Sequence, residues 1–336
     1  MPIQYKGVIY EHNTVRSNVG VFDVSHMCQI MIKGEFAIDL VQKITTNDAE
    51  KLNDGDVQYS CMLNENGGII DDLLVYKISS NLFMLVVNAS NAKKDFDWIS
   101  SFNEYNLSIK DITHQRGLLA VQGPNALQLL QNLTSLPLDS ISYYKFKIGL
   151  FADCNDVIIS RTGYTGAGGF ELYIQQEDAE KVWNKIFDLQ ENIEPIGLAA
   201  RDTLRLEMGY CLYGNDITEN TTPIEAGLSW IVKTNKNFIG KNRIVNQIAN
   251  GVSKKLVGFI LQEKGIPRKD YEILDVNNNI IGNVTSGTMS PSLNQAIGMG
   301  YIITSQSYFG NNILIKIRNK TLKAIIIKLP FYEKKI

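Results

Sequence analysis

The sequence predicts an α+β fold: a duplicated strand–helix region followed by a C-terminal β-barrel domain. Three observations point there. Two strand–glycine–helix plans are offset by 89 positions, Gly34 against Gly123. A second pair of strand–helix segments, opening at Phe83 and Phe170, is offset by 87. Beyond a junction at residues 235–252, helical periodicity gives way to short apolar strands separated by Gly, Asn and Ser turns.

Taken in order, CQIMIKG reads as a strand, and EFAIDLVQKI as a helix with Phe36, Leu40, Val41 and Ile44 on one face. QYSCML and IIDDLLVYKI are strands joined at Asn66-Gly67, a strong hairpin signal. FMLVVNASNAKKDFDWI is a strand, a polar junction and a helix. The plan then recurs. GLLAVQGPNALQLLQNL places Pro124 at a helix start and Leu127, Leu130 and Leu133 along the helix. DVIISRTGY is a strand, and FELYIQQEDAEKVWNKI sets Lys181 opposite Lys94 and Trp183 opposite Phe96. A helix follows Pro195 and ends near Gly209. Then LVGFILQ, YEILDV, NIIGNVTSG, AIGMGYII, ILIKIR and KAIIIKL supply the barrel strands. The expected domains are residues 1–240, in halves of roughly 1–110 and 111–240, and residues 252–336.

Composition narrows the chemistry. With 33 basic and 35 acidic residues the net charge is −2, which argues against a broad nucleic-acid footprint. Pairs such as Lys254-Lys255 and Lys334-Lys335 read as solvated faces. His12, His26 and His114, with Cys28, Cys61, Cys154 and Cys211, form no close ligand pair, so no metal is expected. No GxSxG elbow accompanies the histidines. Scattered cysteines, no signal-peptide core and no long apolar run predict reduced thiols, a cytoplasmic location and no membrane span. Carboxylates, arginines and backbone must then carry any catalysis.

The repeat breaks its symmetry at carboxylates. At an offset of 87, Asp71-Asp72 falls opposite Ile158-Ile159, and Glu171 opposite Met84. Strand alternation puts Asp72 on a face with Ile70, Leu74 and Tyr76, and Asp71 on the other. A carboxylate in an apolar setting needs a partner or a task, and the bland alternatives are an edge strand or the capping of a neighbouring turn by one Asp. Glu171 shares a face with Tyr173 and has solvent exposure as its bland alternative. One break in each copy fits a single site between pseudo-symmetric halves. The glycine cluster of RTGYTGAGGF lacks a P-loop Lys-Ser/Thr and is either a hairpin loop or a close approach to a ligand. Arg201 and Arg205 share a helix face and have Asp202 and Glu207 as ion-pair partners within reach. Arg318 interrupts an apolar strand.

From MPIQY through GVFDVSHM, LNENGGIIDDLLVY, VVNASN, SRTGYTGAGGFELY, GLAARDTLRLEMGYCLYGNDI, TTPIEAGLSW and VTSGTMSPSL to KLPF, the chain resembles the T proteins of the glycine cleavage system. These are tetrahydrofolate-dependent aminomethyltransferases. The resemblance implies a folate-binding region of two related halves plus a barrel. It implies transfer of the one-carbon unit from the aminomethyl-lipoyl H protein to tetrahydrofolate, the acceptor co-substrate. The products are 5,10-methylenetetrahydrofolate, ammonia and the dihydrolipoyl H protein. Functional association with glycine decarboxylase and dihydrolipoamide dehydrogenase, and a monomeric state, are implied as well.

The functional aspartate of the family is the second of GGIIDD, here Asp72. A fixed carboxylate would stabilise cationic, iminium-like character and orient the attacking amine. The resemblance places Glu171, Arg201 and Arg318 among the folate contacts, and Tyr76, Asn88, Met27, Tyr59 and Tyr164 in the pocket wall. Two features depart from the family. The chain starts where relatives have already passed a GW-containing segment, which fits either a shorter protein or a mis-set start, and Ala167 replaces a commonly acidic residue. A folate-dependent demethylase would share the fold and pterin site. A non-catalytic folate-binding maintenance protein would carry a KGCYxGQ-type motif, which this sequence lacks.

Overall fold

The computed structural model describes residues 1–189 and 192–333; Lys334 and Lys335 lie outside them. Helix α1 (Val8–Ser17) and strand β1 (Val19–Asp23) precede the first copy. That copy runs β2 (Cys28–Lys33), α2 (Ala37–Ile44), β3 (Val57–Leu63), β4 (Ile69–Ser79), β5 (Leu82–Val87), α3 (Ala92–Ser101) and β6 (Ser108–Asp111). The second runs β7 (Arg116–Gln122), α4 (Ala126–Leu130), β8 (Phe146–Phe151), β9 (Cys154–Ser160), β10 (Gly169–Gln175), α5 (Ala179–Phe187) and β11 (Ile193–Pro195). The strand orders are β3-β4-β5-β2-β6 and β8-β9-β10-β7-β1-β11. They are the same order, with β1 inserted before the last strand of the second sheet.

Strand register tests the repeat residue by residue. Ile32 pairs with Phe83, and Val121 with Phe170, so the offsets of 89 and 87 hold together. Tyr76 pairs with Met84, however, and Ser160 with Glu171, so β4 and β9 are related by 160 − 76 = 84. The glycine loop between β9 and β10 contains the difference: Ser160 and Glu171 are 11 apart, Tyr76 and Met84 only 8. The pairing of Asp71-Asp72 with Ile158-Ile159 is therefore corrected. In register, Asp72 stands where the second copy has Asp156, and Asp71 where it has Asn155. Asp156 is exposed, with a left-handed φ of 57°.

Two helices differ from expectation. α2 starts one residue after Phe36, which is exposed and stacks on Tyr105 at 4.9 Å, while Leu40, Val41 and Ile44 are buried. α4 has five residues and buries Ala126, Leu129 and Leu130, leaving Leu127 and Leu133 at the core margin. That core joins them to Phe170, Leu172 and Ile174 of β10 and to Val182 and Ile186 of α5. At the front, buried Glu11 accepts the backbone N–H groups of Tyr5, Lys6, Gly7 and Gly197 at 2.6–3.0 Å.

Helices α6 (Leu198–Glu207) and α7 (Lys241–Asn250) lead to β12 (Lys254–Leu261), β13 (Glu272–Leu274), β14 (Ile280–Ser290), β15 (Gln295–Ile303), β16 (Asn312–Ile317) and β17 (Lys320–Ile327). These six close into a barrel, β12-β15-β14-β13-β16-β17. Phe259, Ile273, Ile315 and Ile326 fill it. Contacts group the chain into two compact units that do not follow chain order. One holds Met1–Met62, Asp71–Arg201 and Asn235–Ile239; the other holds Leu63–Ile70, Asp202–Thr234 and the chain from Gly240.

Candidate active site

The two aspartates of β4 point to opposite faces, as strand alternation requires. Asp71 is fully buried on the face it shares with Leu73 and Val75. Its Oδ2 accepts the Asn88 backbone N–H at 2.9 Å, and its Oδ1 accepts Asn88 Nδ2 at 2.8 Å and Asn91 Nδ2 at 2.7 Å. Asp71 thus ties down the turn that leads into α3, which is the turn-capping role. Asp72, half-buried on the other face, accepts Tyr59 Oη–H at Oδ2 (2.9 Å) and Asn88 Nδ2 at Oδ1 (2.9 Å). Burial and the negative charge of Asp71 push the Asp72 carboxyl up to about 7, against the pull of those two donors. At neutral pH it sits between its charged and neutral forms.

On the second sheet, Glu171 faces away from the apolar core that takes Phe170, Leu172 and Ile174. It accepts the Thr162 hydroxyl in a short hydrogen bond. Thr162 Oγ1 lies 3.0 Å from Ser160 Oγ and 3.3 Å from Tyr76 Oη. Tyr76 Oη also meets Ser160 Oγ at 3.1 Å and Tyr173 Oη at 2.8 Å. This hydroxyl network joins the Asp72 face of the first sheet to the Glu171 face of the second. Tyr76 and Tyr173 are fully buried with rings packed edge to face, so they form its base rather than a free wall. Burial raises the Glu171 carboxyl; the Thr162 hydrogen bond and the Arg201 charge oppose the rise.

Arg201 stacks over the Tyr164 ring, 4.6 Å from its centroid, close enough to act electrostatically on Glu171. Arg205 has a different fate. It is 1% exposed and bound to Asp202 and Asp216 at 2.7 Å, a structural role matching the bland alternative. Met27 is half-buried in the turn between β1 and β2, its N–H on Val24 O. Arg318 is not within a strand: it is exposed, with φ 54°, in the turn between β16 and β17 of the other unit. Packing requires two of the loop glycines, and Gly166 and Gly168 hold left-handed φ values of 67° and 83°. A Cβ on Gly163 would lie 2.0 Å from the Gln122 side chain, and one on Gly169 2.2 Å from Val121 O. Gln122 in turn donates to Thr162 O and Phe170 O and accepts from Thr165.

Several residues of this network escaped the sequence reading: Ser160, Thr162, Asn91 and Asp95. Asp95 had a signal. At the same offset of 87 it stands opposite Val182, a third carboxylate facing an apolar residue. It is fully buried on α3 beside Asp71, and burial followed by the hydrogen bond to Asp71 pushes its carboxyl up to about 10. Among the described residues, no three His, Cys, Asp or Glu side chains are grouped to hold a metal ion, and no helix is long and apolar enough to cross a membrane.

Comparison with known proteins places this geometry. Residues 1–236 match the family described as the GCVT N-terminal domain, and residues 254–333 the glycine cleavage T-protein C-terminal barrel domain. The chain belongs to the glycine cleavage T-protein family. An aminomethyltransferase of Flavobacterium psychrophilum is 55% identical over 336 residues, 99% of this chain and 93% of the relative. One from Bacteroides fragilis is 51% identical over 335 residues, 98% and 93% of the two chains. The crystal structure of glycine cleavage system aminomethyltransferase T from Bartonella henselae superposes with a TM-score of 0.93 at 35% identity, covering 100% of this chain and 92% of that one. This T-protein family member is an aminomethyltransferase with the family fold, a mixed helix–sheet region and a closed six-stranded barrel.

Proposed function

We propose that the chain transfers the one-carbon unit of the aminomethyl-lipoyl H protein to tetrahydrofolate, with Asp72 as the catalytic group and Glu171 as the principal folate anchor. The observation that supports this is the pair of facing sheet surfaces. One presents Asp72 held by Tyr59 and Asn88; the other presents Glu171 held by Thr162. Tyr76 is four residues from Asp72 along β4, about 13 Å at ~3.3 Å per residue, and its hydroxyl meets the Thr162 that bonds Glu171. The two carboxylates thus lie at different points of one connected surface, which suits a ligand anchored at one and reacting near the other.

The residue types fit a folate. A carboxylate accepts adjacent N–H groups of a pterin edge, which is the task assigned to Glu171. Arg201, stacked on Tyr164, suits the anionic and carbonyl parts of the same ligand, and Arg318 is proposed as a folate contact on its residue type alone. Met27 and Tyr164 would wall the pocket over the Tyr76 base. Asp72, ionised, stabilises positive charge that develops on the one-carbon unit as ammonia leaves, and Tyr59 and Asn88 fix its orientation beforehand. Tetrahydrofolate supplies the accepting amine; the protein supplies placement and charge. The same reading divides the chain into a folate-binding part, residues 1–240, and a barrel, residues 252–336. It includes a cytoplasmic monomer working beside glycine decarboxylase and dihydrolipoamide dehydrogenase.

Reconstitution tests it. Purified protein with lipoylated H protein, glycine decarboxylase, glycine and tetrahydrofolate is expected to form methylenetetrahydrofolate. A folded protein that yields no product above the no-protein control would refute the proposal.

A further inference from the structure

Behind the candidate site lies a polar group with no task in the reading above. Asp95 is fully buried on α3, and neither of its carboxyl oxygens meets an N–H or O–H donor from the protein. Its hydrogen-bonding neighbour is another carboxylate, Asp71, which already accepts three N–H groups from Asn88 and Asn91. Two adjacent buried carboxylates cannot both stay charged, and the one without donors is the one to keep a proton. The groups that act on Asp95 are Asp71, Asp72 and Lys94, with Cys28 nearby. No cation is bonded to the Asp71 carboxylate in the contacts described above.

From this geometry we infer that Asp95 is a neutral carboxylic acid that donates its O–H to Asp71 and serves as a positioning residue for Asp72. The line of contacts is continuous. Asp95 fixes Asp71; Asp71 holds both the backbone N–H and the side-chain amide of Asn88; the same amide nitrogen donates to Asp72 Oδ1 and to Asp72 O. The proton does a second thing. It leaves one negative charge rather than two behind Asp72, so Asp72 can still ionise near neutrality. An ionised Asp95 would repel Asp71 out of the Asn88 clasp and let Asp72 turn. The inference rests on Asp72 being the catalytic group and adds what holds it in place.

Two measurements on the intact protein test it. The first is infrared spectroscopy at mildly alkaline pH, where Asp72 is ionised. The carbonyl stretch of a protonated carboxylic acid should be present in the wild type and lost in Asp95→Asn. The second is steady-state kinetics. Asp95→Asn keeps a neutral N–H donor for Asp71 and should retain kcat within about threefold, whereas Asp95→Ala should lose about 10²-fold in kcat, the scale of a misplaced reacting group, at unchanged KM for tetrahydrofolate. An acid band that survives in Asp95→Asn, or is absent from the wild type, overturns the inference. So does an Asn variant as impaired as the Ala variant, or an Ala variant with wild-type kcat. If Asp95→Ala fails to fold, the band and the Asn variant decide. Full activity of Asp72→Asn would instead remove the reading beneath, with the band assignment still standing.

Discussion

The two copies of the repeat share one strand order and differ in where they bury charge. In the first, β4 presents Asp71 and Asp72 into clasps of amide and hydroxyl donors. The register-equivalent stretch of β9 carries Asn155 and Asp156, both exposed. In the second copy, Glu171 lies in the hydroxyl network where the first has buried, apolar Met84. Asp95 against Val182 is a third such pair. A duplicated scaffold thus supplies two sheets of one strand order, and a few carboxylates on opposite copies make their buried charge asymmetric. The same residue type at the same register position has opposite consequences: Asp156 is solvated, while Asp72 is half-buried between donors, its carboxyl raised to about 7.

That contrast can be broken at graded points. Asp72→Asn should lower turnover by ~10²-fold or more, the scale of one preorganised electrostatic group, measured in the reconstituted assay. Glu171→Met, which installs the residue of the first copy, should weaken tetrahydrofolate binding by about 10- to 10²-fold. That is the ~1.5–3 kcal/mol of hydrogen bonds to a charged group, and it is read by equilibrium titration. Tyr59→Phe acts through pH. In the proposed role Asp72 acts ionised, so kcat of the wild type should rise with pH through about 7. The Tyr59 hydrogen bond lowers the Asp72 pKa, so its loss should move that limb to higher pH. Asp156→Asn should change neither activity nor, beyond about 0.5 kcal/mol, stability.

The architecture was legible because period and turn chemistry are local. The Asn66-Gly67 hairpin and the six barrel strands follow from residues that are neighbours in sequence. The repeat offsets at Gly34/Gly123 and Phe83/Phe170 were legible as well, and register agrees with them. The offset for Asp72 was not, because the three added positions sit in a glycine loop whose length no periodicity reports. Opposite faces for Asp71 and Asp72 followed from alternation, but the Asn88 clasp shared by both needed tertiary structure. The hydroxyl network among Tyr76, Ser160, Thr162 and Tyr173 lay beyond reach for the same reason: its members come from three strands and the loop after β9 and have no common spacing. Arg201 and Arg205 looked equivalent on one helix face, and only their partners, Tyr164 against Asp202 and Asp216, separate them.

The adjacent aspartates allow the most direct test of the central claim. Asp71→Asn and Asp72→Asn should be compared for tetrahydrofolate binding, single-turnover product formation and thermal unfolding. The account predicts that Asp72→Asn stays folded, binds tetrahydrofolate and forms product ~10²-fold or more slowly than the wild type. Asp71→Asn, which turns an amide toward the Asn88 and Asn91 donors, should lose about 1–3 kcal/mol of stability. An active Asp72→Asn beside a folded but inactive Asp71→Asn would contradict it.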